Sequence, residues 1–326
     1  MLTPFNNPAV VVQSWYVVAL SRDVRQKQAI SRALLNRSLA LYRGEDGRVR
    51  ALDSRCRHLG ADLGQGSVVG THLRCPFHHW TYAGDGRCVL IPSMDAVPPC
   101  TRTFAYPTEE KYGALWIFNG PRPLFPVPFF AGWREEELLG VPLRPQVLNC
   151  HPHVIACNGL DIQHFKTVHQ LAFVDEPVAE ALDAYRMQLK LHIRLTGKNL
   201  FAKVLRCLGG ETVAATFTTW GGNLATIDGR LGAYQILVLF THRPLPDGKS
   251  ASQTFLFVPR GHRLRRLPGI NAFFVMVVKC IMGYILVQDR KLLDTLRFRA
   301  NFVGADAPLV AFINQVERMQ VFEAPQ

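Results

Sequence analysis

The chain has 326 residues, of which 48% are hydrophobic and 19% charged, and its formal net charge is +12. This composition is too apolar for a disordered protein, and the length allows one large domain or two medium ones. Eight cysteines are too few for a disulfide scaffold in a chain of this length. The positive charge comes without a nucleic-acid motif, so we predict no nucleic-acid partner.

The first twenty residues contain no basic stretch followed by an uninterrupted apolar run. A secretory signal needs both, so we expect a cytoplasmic protein. In that reducing compartment, cysteines without a nearby histidine are expected to be small buried apolar side chains. These are Cys88, Cys100, Cys150, Cys157, Cys207 and Cys280.

Residues 15–118 consist of short apolar runs separated by turn signals such as GEDG at 44–47 and AGDG at 83–86. This pattern predicts an all-β domain over residues 1–120. The next segment is rich in proline, which can neither continue a helix nor occupy a central strand. We therefore predict a linker at 121–130 and a second domain at 131–326.

Two cysteine–histidine pairs lie in the first domain. Cys56 and His58 are separated by one residue, and Cys75 and His78 by two. The alternatives are a zinc site, a disulfide with incidental histidines and an iron–sulfur centre. Zinc sites usually take their ligands as C-x₂₋₄-C or H-x₃₋₅-H pairs, whereas each loop here supplies one thiolate and one imidazole. That arrangement suits a [2Fe–2S] centre with two cysteines on one iron and two histidines on the other.

The segment CRHLGADLGQG…CPFHHWTY resembles the cluster-binding segment of Rieske-type proteins, which place C-x-x-H a short loop after C-x-H. His79 stands where that family commonly has glycine, and His72 lies between the two pairs. We interpret both as packing or surface residues. Four glycines are predicted to let the backbone approach the metal: Gly60, Gly64, Gly66 and Gly70.

In the second domain, residues 156–171 have a helical pattern, and stretches 185–206, 212–226 and 231–241 alternate like antiparallel strands. Residues 268–303 are predicted to be another helix. Together these elements predict an α+β fold with helices packed on an antiparallel sheet.

The apolar run at 270–287 comes close to the length of a membrane span, but Asn271 and Lys279 interrupt it. We expect a buried helix packed on the sheet. Contact with a membrane surface, helped by the basic run at 259–269, is the alternative.

The helix predicted at 156–171 carries His164 and His169, with Asp161 three residues before the first histidine. Five residues correspond to about 500° of rotation, so the two imidazoles are about 140° apart on a helical wheel. Both can bind one metal only if the helix is locally distorted; otherwise they are ordinary histidines of an amphipathic helix.

Behind a Rieske-type domain, D-x-x-H-x₄-H resembles the mononuclear iron segment of the Rieske non-haem iron oxygenases. The resemblance implies Fe(II) held by His164, His169 and a carboxylate, with positions open for O₂. It places that carboxylate late in the chain after an apolar helix, where Asp289 fits best. Asp294 is the reserve, and Asp306 looks like a turn or cap residue.

The resemblance also implies that Asp161 links a cluster histidine to His164 across a subunit boundary in a head-to-tail homotrimer. Asn158 is predicted either to form a hydrogen bond near the metal or to cap the helix. By the same resemblance, which covers nearly the whole chain, the second domain is a catalytic domain of the helix-grip type.

The expected function is the terminal oxygenase of a multicomponent monooxygenase, which hydroxylates, demethylates or desaturates its substrate with O₂ and electrons from NAD(P)H. No dinucleotide-binding fingerprint is present, so the reductase or ferredoxin is expected to be a separate protein.

Stretches 217–227 and 234–240 contain few charges, and the layout resembles the steroid- and sterol-acting branch. A hydrophobic polycyclic or lipid substrate is therefore favoured over a small aromatic one. Two other classes stay open: a Rieske electron-transfer protein without oxygenase activity, and a zinc-stabilised binding protein.

Overall fold

The structure of the protein is a computed structural model that describes residues 3–34, 37–196, 206, 210–232, 234–259 and 270–322. Three predicted features lie outside these residues: the basic run after Pro259, the start of the late helix at 268, and Cys207. The chain divides into two compact units. One contains Val11–Val127, Arg243–Pro246 and the segment from Gln320; the other contains Pro128–His242, Asp247–Met319 and the segment up to Val10.

The described part of the unit around Val11–Val127 is built from strands. In chain order they are Trp15–Leu20 (β1), Ala29–Leu34 (β2), Arg37–Arg43 (β3), Val49–Asp53 (β4), Ser67–Val69 (β5), His72–Arg74 (β6), Thr81–Tyr82 (β7), Cys88–Leu90 (β8), Ala105–Tyr106 (β9), Thr108–Lys111 (β10) and Ala114–Phe118 (β11). They form sheets with the orders β1-β11-β10, β2-β3-β4-β9 and β5-β6-β7-β8.

Strand β3 is buried on both faces. Leu39 and Leu41 belong to one hydrophobic core, whereas Ala40 and Tyr42 belong to a second core that also contains Cys56. Successive side chains of a strand point to opposite faces, so this one strand separates the two cores. The second core is the one that supports the cysteine motifs.

The other unit is built around one nine-stranded sheet. Its strands are Leu138–Pro142 (β12), Gln146–Leu148 (β13), Ala172–Phe173 (β14), Val178–Ala181 (β15), Arg186–Arg194 (β16), Thr212–Trp220 (β17), Leu224–Leu231 (β18), Tyr234–Pro244 (β19) and Ser250–Pro259 (β20). The order is β12-β20-β19-β18-β17-β16-β14, with β13 also paired to β20 and β15 to β16. Among the described residues its helices are Pro152–Asn158 (α1), Ile162–Thr167 (α2), Ile270–Leu293 (α3) and Ala307–Glu317 (α4). The α+β fold is confirmed.

The helix predicted over 156–171 is in fact two short helices, α1 and α2. Gly159 lies at their junction, where the Phe217 ring of β17 packs so closely that a Cβ atom would collide with it. Asp161 then starts α2 as its N-cap, because its carboxylate accepts the His164 N–H at 2.9 Å. Periodicity reveals neither this break in the helix nor the Phe217 contact beside it.

The late helix α3 ends at Leu293, ten residues before the predicted end. After it, the Thr295 N–H donates to the Leu292 carbonyl at 3.1 Å, a tightened last turn of the kind found at helix ends. The expectation that α3 is buried is wrong on one face: Val278 and Met282 are buried, whereas Tyr284 and Val287 are 68% and 51% exposed. None of the helices that the structure describes combines the length and apolar character needed to cross a bilayer.

The proline-rich segment carries no strand or helix between Phe118 and Glu135. Its aromatic side chains are nevertheless packed: Phe125 and Phe130 are buried, and the Phe125 carbonyl accepts the Trp15 indole N–H at 2.7 Å. The division between the two units falls inside this segment, after Val127.

Candidate metal centres

The first cysteine–histidine pair lies on a tight loop that follows β4. The Cys56 N–H donates to the Ala61 carbonyl, and the Gly60 N–H donates back to the Cys56 carbonyl. The Asp62 carboxylate closes the loop by accepting the Gly64 N–H and the Ser31 hydroxyl, at 2.9 and 2.6 Å. These bonds hold Cys56 and His58 on a rigid backbone.

The second pair lies on the turn between β6 and β7. The Cys75 N–H donates to the Trp80 carbonyl at 2.8 Å, which closes the turn. His79 has a φ of +61°, a left-handed conformation that costs a non-glycine residue free energy. This left-handed backbone conformation explains why Rieske-type proteins commonly have glycine at the position of His79.

The two loops bring thiols and imidazoles together in the expected combination. Cys56 and Cys75 are buried in one hydrophobic core, whereas His58 and His78 are exposed. The Nδ1 atoms of the two histidines face each other at 3.1 Å. The His58 ring also stacks on Trp80, with ring centroids 4.8 Å apart and an interplanar angle of 2°.

Tyr82 contacts the Cys56 sulfur. Its hydroxyl lies 3.2 Å from Cys56 Sγ and accepts the Arg57 N–H at 3.1 Å. Because that N–H already occupies an oxygen lone pair, the phenol proton is free to point at the sulfur. Burial raises the pKa of the Cys56 thiol, while the bond from Tyr82 acts in the opposite direction. A bound metal would make this sulfur a thiolate.

Two of the four glycines predicted to let the backbone approach the metal are also needed for packing. A Cβ on Gly64 would collide with the Ser31 backbone and hydroxyl, and one on Gly66 would collide with the Arg74 carbonyl. These glycines allow neighbouring strands to approach the loop. Their approach to the metal stays a prediction.

In the other unit, His169 reaches the same place as His164 because α2 ends between them. The helix stops at Thr167, and Gln170 takes a left-handed φ of +52°. The Leu171 N–H donates to the Phe165 carbonyl at 3.0 Å and closes this turn. The distortion needed to bring both histidines to one metal is thus the C-terminal end of the helix.

Asp289 of α3 completes a compact set of three ligand atoms. Its Oδ1 lies 3.1 Å from His164 Nε2 and 2.9 Å from His169 Nε2, and the two Nε2 atoms are 2.9 Å apart. These three residues could hold one metal ion, because each offers a ligand atom and the three atoms lie close together. Asp289 Oδ1 is buried and accepts no hydrogen bond within the described part of the chain.

This geometry fits a divalent metal. Ligand atoms about 2.1 Å from a metal are about 3.0 Å apart at right angles and about 3.4 Å apart in a tetrahedron. The observed separations of 2.9–3.1 Å match three positions on one face of an octahedron. Burial raises the pKa of the Asp289 carboxyl, but the two imidazoles outweigh it, so the net pKa is lowered.

The other candidates have different surroundings. The Asp294 carboxylate accepts the Asn149 N–H at 2.9 Å and pairs with Arg290. The Asp306 carboxylate is a turn residue: it accepts the Val303 N–H at 2.9 Å and the Gln163 amide at 2.7 Å.

Asn158 does not cap α2. Its amide nitrogen lies 3.4 Å from His164 Nε2, which places it beside the three ligand atoms. Asp161 is the cap, a role that sequence reasoning missed although Asp before a helix is a common N-cap signal.

The cysteines outside the motifs divide into two groups. Cys88, Cys150 and Cys157 are buried, as predicted. Cys100 and Cys280 are exposed, so the prediction is wrong for both.

Comparison with known proteins supports the first centre. Residues 14–104 match the family model of the Rieske [2Fe-2S] domain. A probable 3-ketosteroid-9-alpha-monooxygenase oxygenase component of Rhodococcus rhodochrous is 34% identical over 172 residues, covering 50% of this chain and 42% of that protein. Cholesterol 7-desaturase nvd of Bombyx mori is 31% identical over 171 residues, covering 52% and 38%. The matches thus span less than half the length of these relatives.

Among solved structures, dicamba monooxygenase bound to dicamba has the same fold, with a TM-score of 0.68 and 21% identity. The match covers 94% of this chain and 97% of that one. The fold and the first site define a Rieske iron–sulfur protein. Over half of its length the chain is similar in sequence to a protein named as an oxygenase component, and as a whole it shares its fold with dicamba monooxygenase.

Proposed function

We propose that the protein is the terminal oxygenase of a multicomponent Rieske monooxygenase. The observation that carries the proposal is the convergence of His164, His169 and Asp289 at 2.9–3.1 Å in a chain that also contains a Rieske domain. A Rieske electron-transfer protein has no need of this second set of ligand atoms.

Each centre has its own residues in this proposal. Cys56 and Cys75 hold one iron of the [2Fe–2S] cluster, and His58 and His78 hold the other. The Nε2 atoms of His164 and His169 and the Asp289 carboxylate would hold a mononuclear Fe(II). When bound, such an iron supplies open coordination positions at which O₂ is reduced beside the substrate.

The electron donor is a separate reductase or ferredoxin that takes electrons from NAD(P)H, since the sequence contains no dinucleotide fingerprint. Asp161 links the Rieske cluster of one subunit to His164 of another, in a homotrimer. The trimer is tested by the mass of the protein in solution, and a monomer at working concentration would contradict it. A cytoplasmic location stays a prediction.

The substrate is a hydrophobic polycyclic lipid of the sterol or steroid class, and the reaction a hydroxylation, demethylation or desaturation. Relatives named as 3-ketosteroid monooxygenase components and as a cholesterol desaturase support this class. A small aromatic substrate is the second candidate, because a solved structure of the same fold contains dicamba.

Iron and acid-labile sulfide analysis of anaerobically purified protein tests the two centres. About three irons and two sulfides per chain are expected. Zinc without sulfide would overturn the whole proposal, and two irons without a third would favour an electron carrier.

The ligand assignment is tested with two aspartates of the same helix region. Asp289→Ala should remove the mononuclear iron and leave the cluster, whereas Asp294→Ala should retain both. If Asp289→Ala retains iron and turnover, Asp289 is not a ligand. NADH consumption with a surrogate reductase, measured with sterols and with small aromatic acids, distinguishes the two substrate classes.

A further inference from the structure

The Nδ1 atom of His169 has its own partner on α3. It lies 3.3 Å from Gln288 Oε1, on the side of the imidazole ring opposite the Nε2 atom that faces Asp289. The amide nitrogen of Gln288 in turn donates to the Tyr284 hydroxyl at 2.9 Å. Tyr284, Gln288 and His169 thus form a continuous hydrogen-bonded chain that ends at the ligand atoms.

The position of the protons in this hydrogen-bonded chain follows from the proposed ligand set. An imidazole that offers Nε2 to a metal is neutral and carries its proton on Nδ1. The Nδ1–H of His169 therefore needs an acceptor, which the Gln288 amide supplies only through its oxygen. The amide nitrogen then points away from the imidazole, toward Tyr284.

The spacing of these residues on α3 allows both hydrogen bonds to form. Tyr284 and Gln288 are four residues apart and so are neighbours on one face of α3. Gln288 directly precedes Asp289, so one helix supplies both a ligand atom and the partner of a second ligand. Tyr284 is 68% exposed, whereas Gln288 is half-buried, which shields the bond to His169 better than the bond to the phenol.

We propose that Gln288 is a positioning residue that sets the tautomer and ring orientation of His169, and that Tyr284 sets the orientation of the Gln288 amide. Neither side chain touches the metal. The inference rests on the ligand set of the proposed function, and its tests are chosen so that the two can fail separately.

Metal affinity gives the first test. Apoprotein with an intact Rieske cluster is titrated anaerobically with Co²⁺, and the bound metal is counted after equilibrium dialysis. Gln288→Leu should weaken Co²⁺ binding about 10- to 100-fold, the usual cost of losing a partner of a ligating histidine. Gln288→Glu retains an acceptor at the same reach and should bind within a few-fold of the unaltered protein or more tightly.

The role of Tyr284 gives a second, sharper test. Tyr284→Phe should weaken Co²⁺ binding by a smaller factor, because the amide can then turn its nitrogen toward His169. In the Gln288→Glu background the same substitution should have almost no effect, since both oxygens of a carboxylate are acceptors. Equal effects of Tyr284→Phe in the two backgrounds would contradict the proposed role of Tyr284.

Two controls separate the possible failures. Gln235→Leu removes a 2.7 Å bond from Gln235 to Asp228 on the sheet, away from the ligand atoms, and should leave Co²⁺ affinity unchanged. If Asp289→Ala loses the metal while Gln288→Leu binds Co²⁺ as tightly as the unaltered protein, this inference is wrong and the ligand set stands. If Asp289→Ala also binds normally, the ligand set itself is wrong.

Discussion

Among single residues, Tyr82 has the most direct effect on the cluster. Its hydroxyl contacts the Cys56 sulfur at 3.2 Å, and a hydrogen bond to a thiolate stabilises the reduced, more negative cluster more than the oxidised one. Tyr82→Phe should therefore lower the reduction potential. A difference of about 1 kcal/mol corresponds to about 40 mV for one electron, which protein-film voltammetry resolves.

Tyr42→Phe is the matched control for this measurement. Tyr42 is buried in the same core, but its hydroxyl bonds to the Thr71 carbonyl at 3.2 Å. Its removal should leave the potential unchanged. An equal shift in both variants would mean that burial, and not the bond to sulfur, sets the potential.

His79 is a second residue whose backbone decides its effect. With φ at +61°, its backbone conformation costs about 1–2 kcal/mol of folding free energy that glycine would not lose. Glycine costs about 0.5–1 kcal/mol more in unfolded-chain entropy, so His79→Gly should stabilise the Rieske unit by about 0.5–1 kcal/mol. The thermal midpoint of cluster loss, followed by visible absorption, should rise by about 2–4 °C.

His72→Gly provides the comparison, because His72 lies in strand β6. Glycine in a strand removes packing and adds chain entropy, so this variant should melt earlier than the unaltered protein. A lower melting temperature for His79→Gly would show that the imidazole makes compensating contacts.

At the scale of elements, the junction between α1 and α2 precedes the helix that carries the proposed iron ligand His164. The Phe217 ring occupies the space beside Gly159, so Gly159→Ala forces either the ring or the helix pair to move. Overpacking of this kind costs about 1–3 kcal/mol. We expect loss of the mononuclear iron with the [2Fe–2S] cluster retained, measured as iron and sulfide per chain.

Gly283→Ala is the corresponding control within α3, where no described residue outside the helix backbone lies within 4 Å of the added methyl group. It should keep the iron and stabilise the helix slightly, since alanine is the better helix former. Adding Phe217→Leu to Gly159→Ala should restore part of the iron content. No restoration would indicate that Gly159 is needed for its backbone and not for space.

For the whole molecule, the prediction concerns electron transfer between the two centres. Asp161→Asn keeps the N-cap of α2, because asparagine caps helices as well as aspartate does. Both metals should therefore remain. If the charged carboxylate links the centres, reoxidation of the reduced cluster by O₂ with substrate present should become far slower in single-turnover stopped-flow experiments.

Asp183→Asn is the control, because the Asp183 carboxylate also accepts a nearby backbone N–H, from Tyr185 at 2.8 Å, on an exposed turn. It should leave the reoxidation rate unchanged. Normal reoxidation in Asp161→Asn would reduce the role of Asp161 to that of a helix cap.

Local patterns were sufficient for much of this protein. The spacing of Cys56, His58, Cys75 and His78 is a short-range property of two loops, so the cluster motif can be read directly from the sequence. Alternating and helical periodicity likewise predicted the α+β fold. Helix ends were less predictable, because they depend on contacts such as that of Phe217 with Gly159 and on local turns such as the one at Thr295.

Only the tertiary structure determines which groups that are distant in the sequence lie close together. On a continuous helix His164 and His169 would diverge; α2 ends at Thr167, between them, and their Nε2 atoms lie 2.9 Å apart. Asp289 lies more than a hundred residues further along the chain, and only the folded sheet and helices place its carboxylate beside them. The sequence alone determined which chemical groups were available, since motif spacing is local. Their geometry depends on long-range packing, which no local pattern encodes.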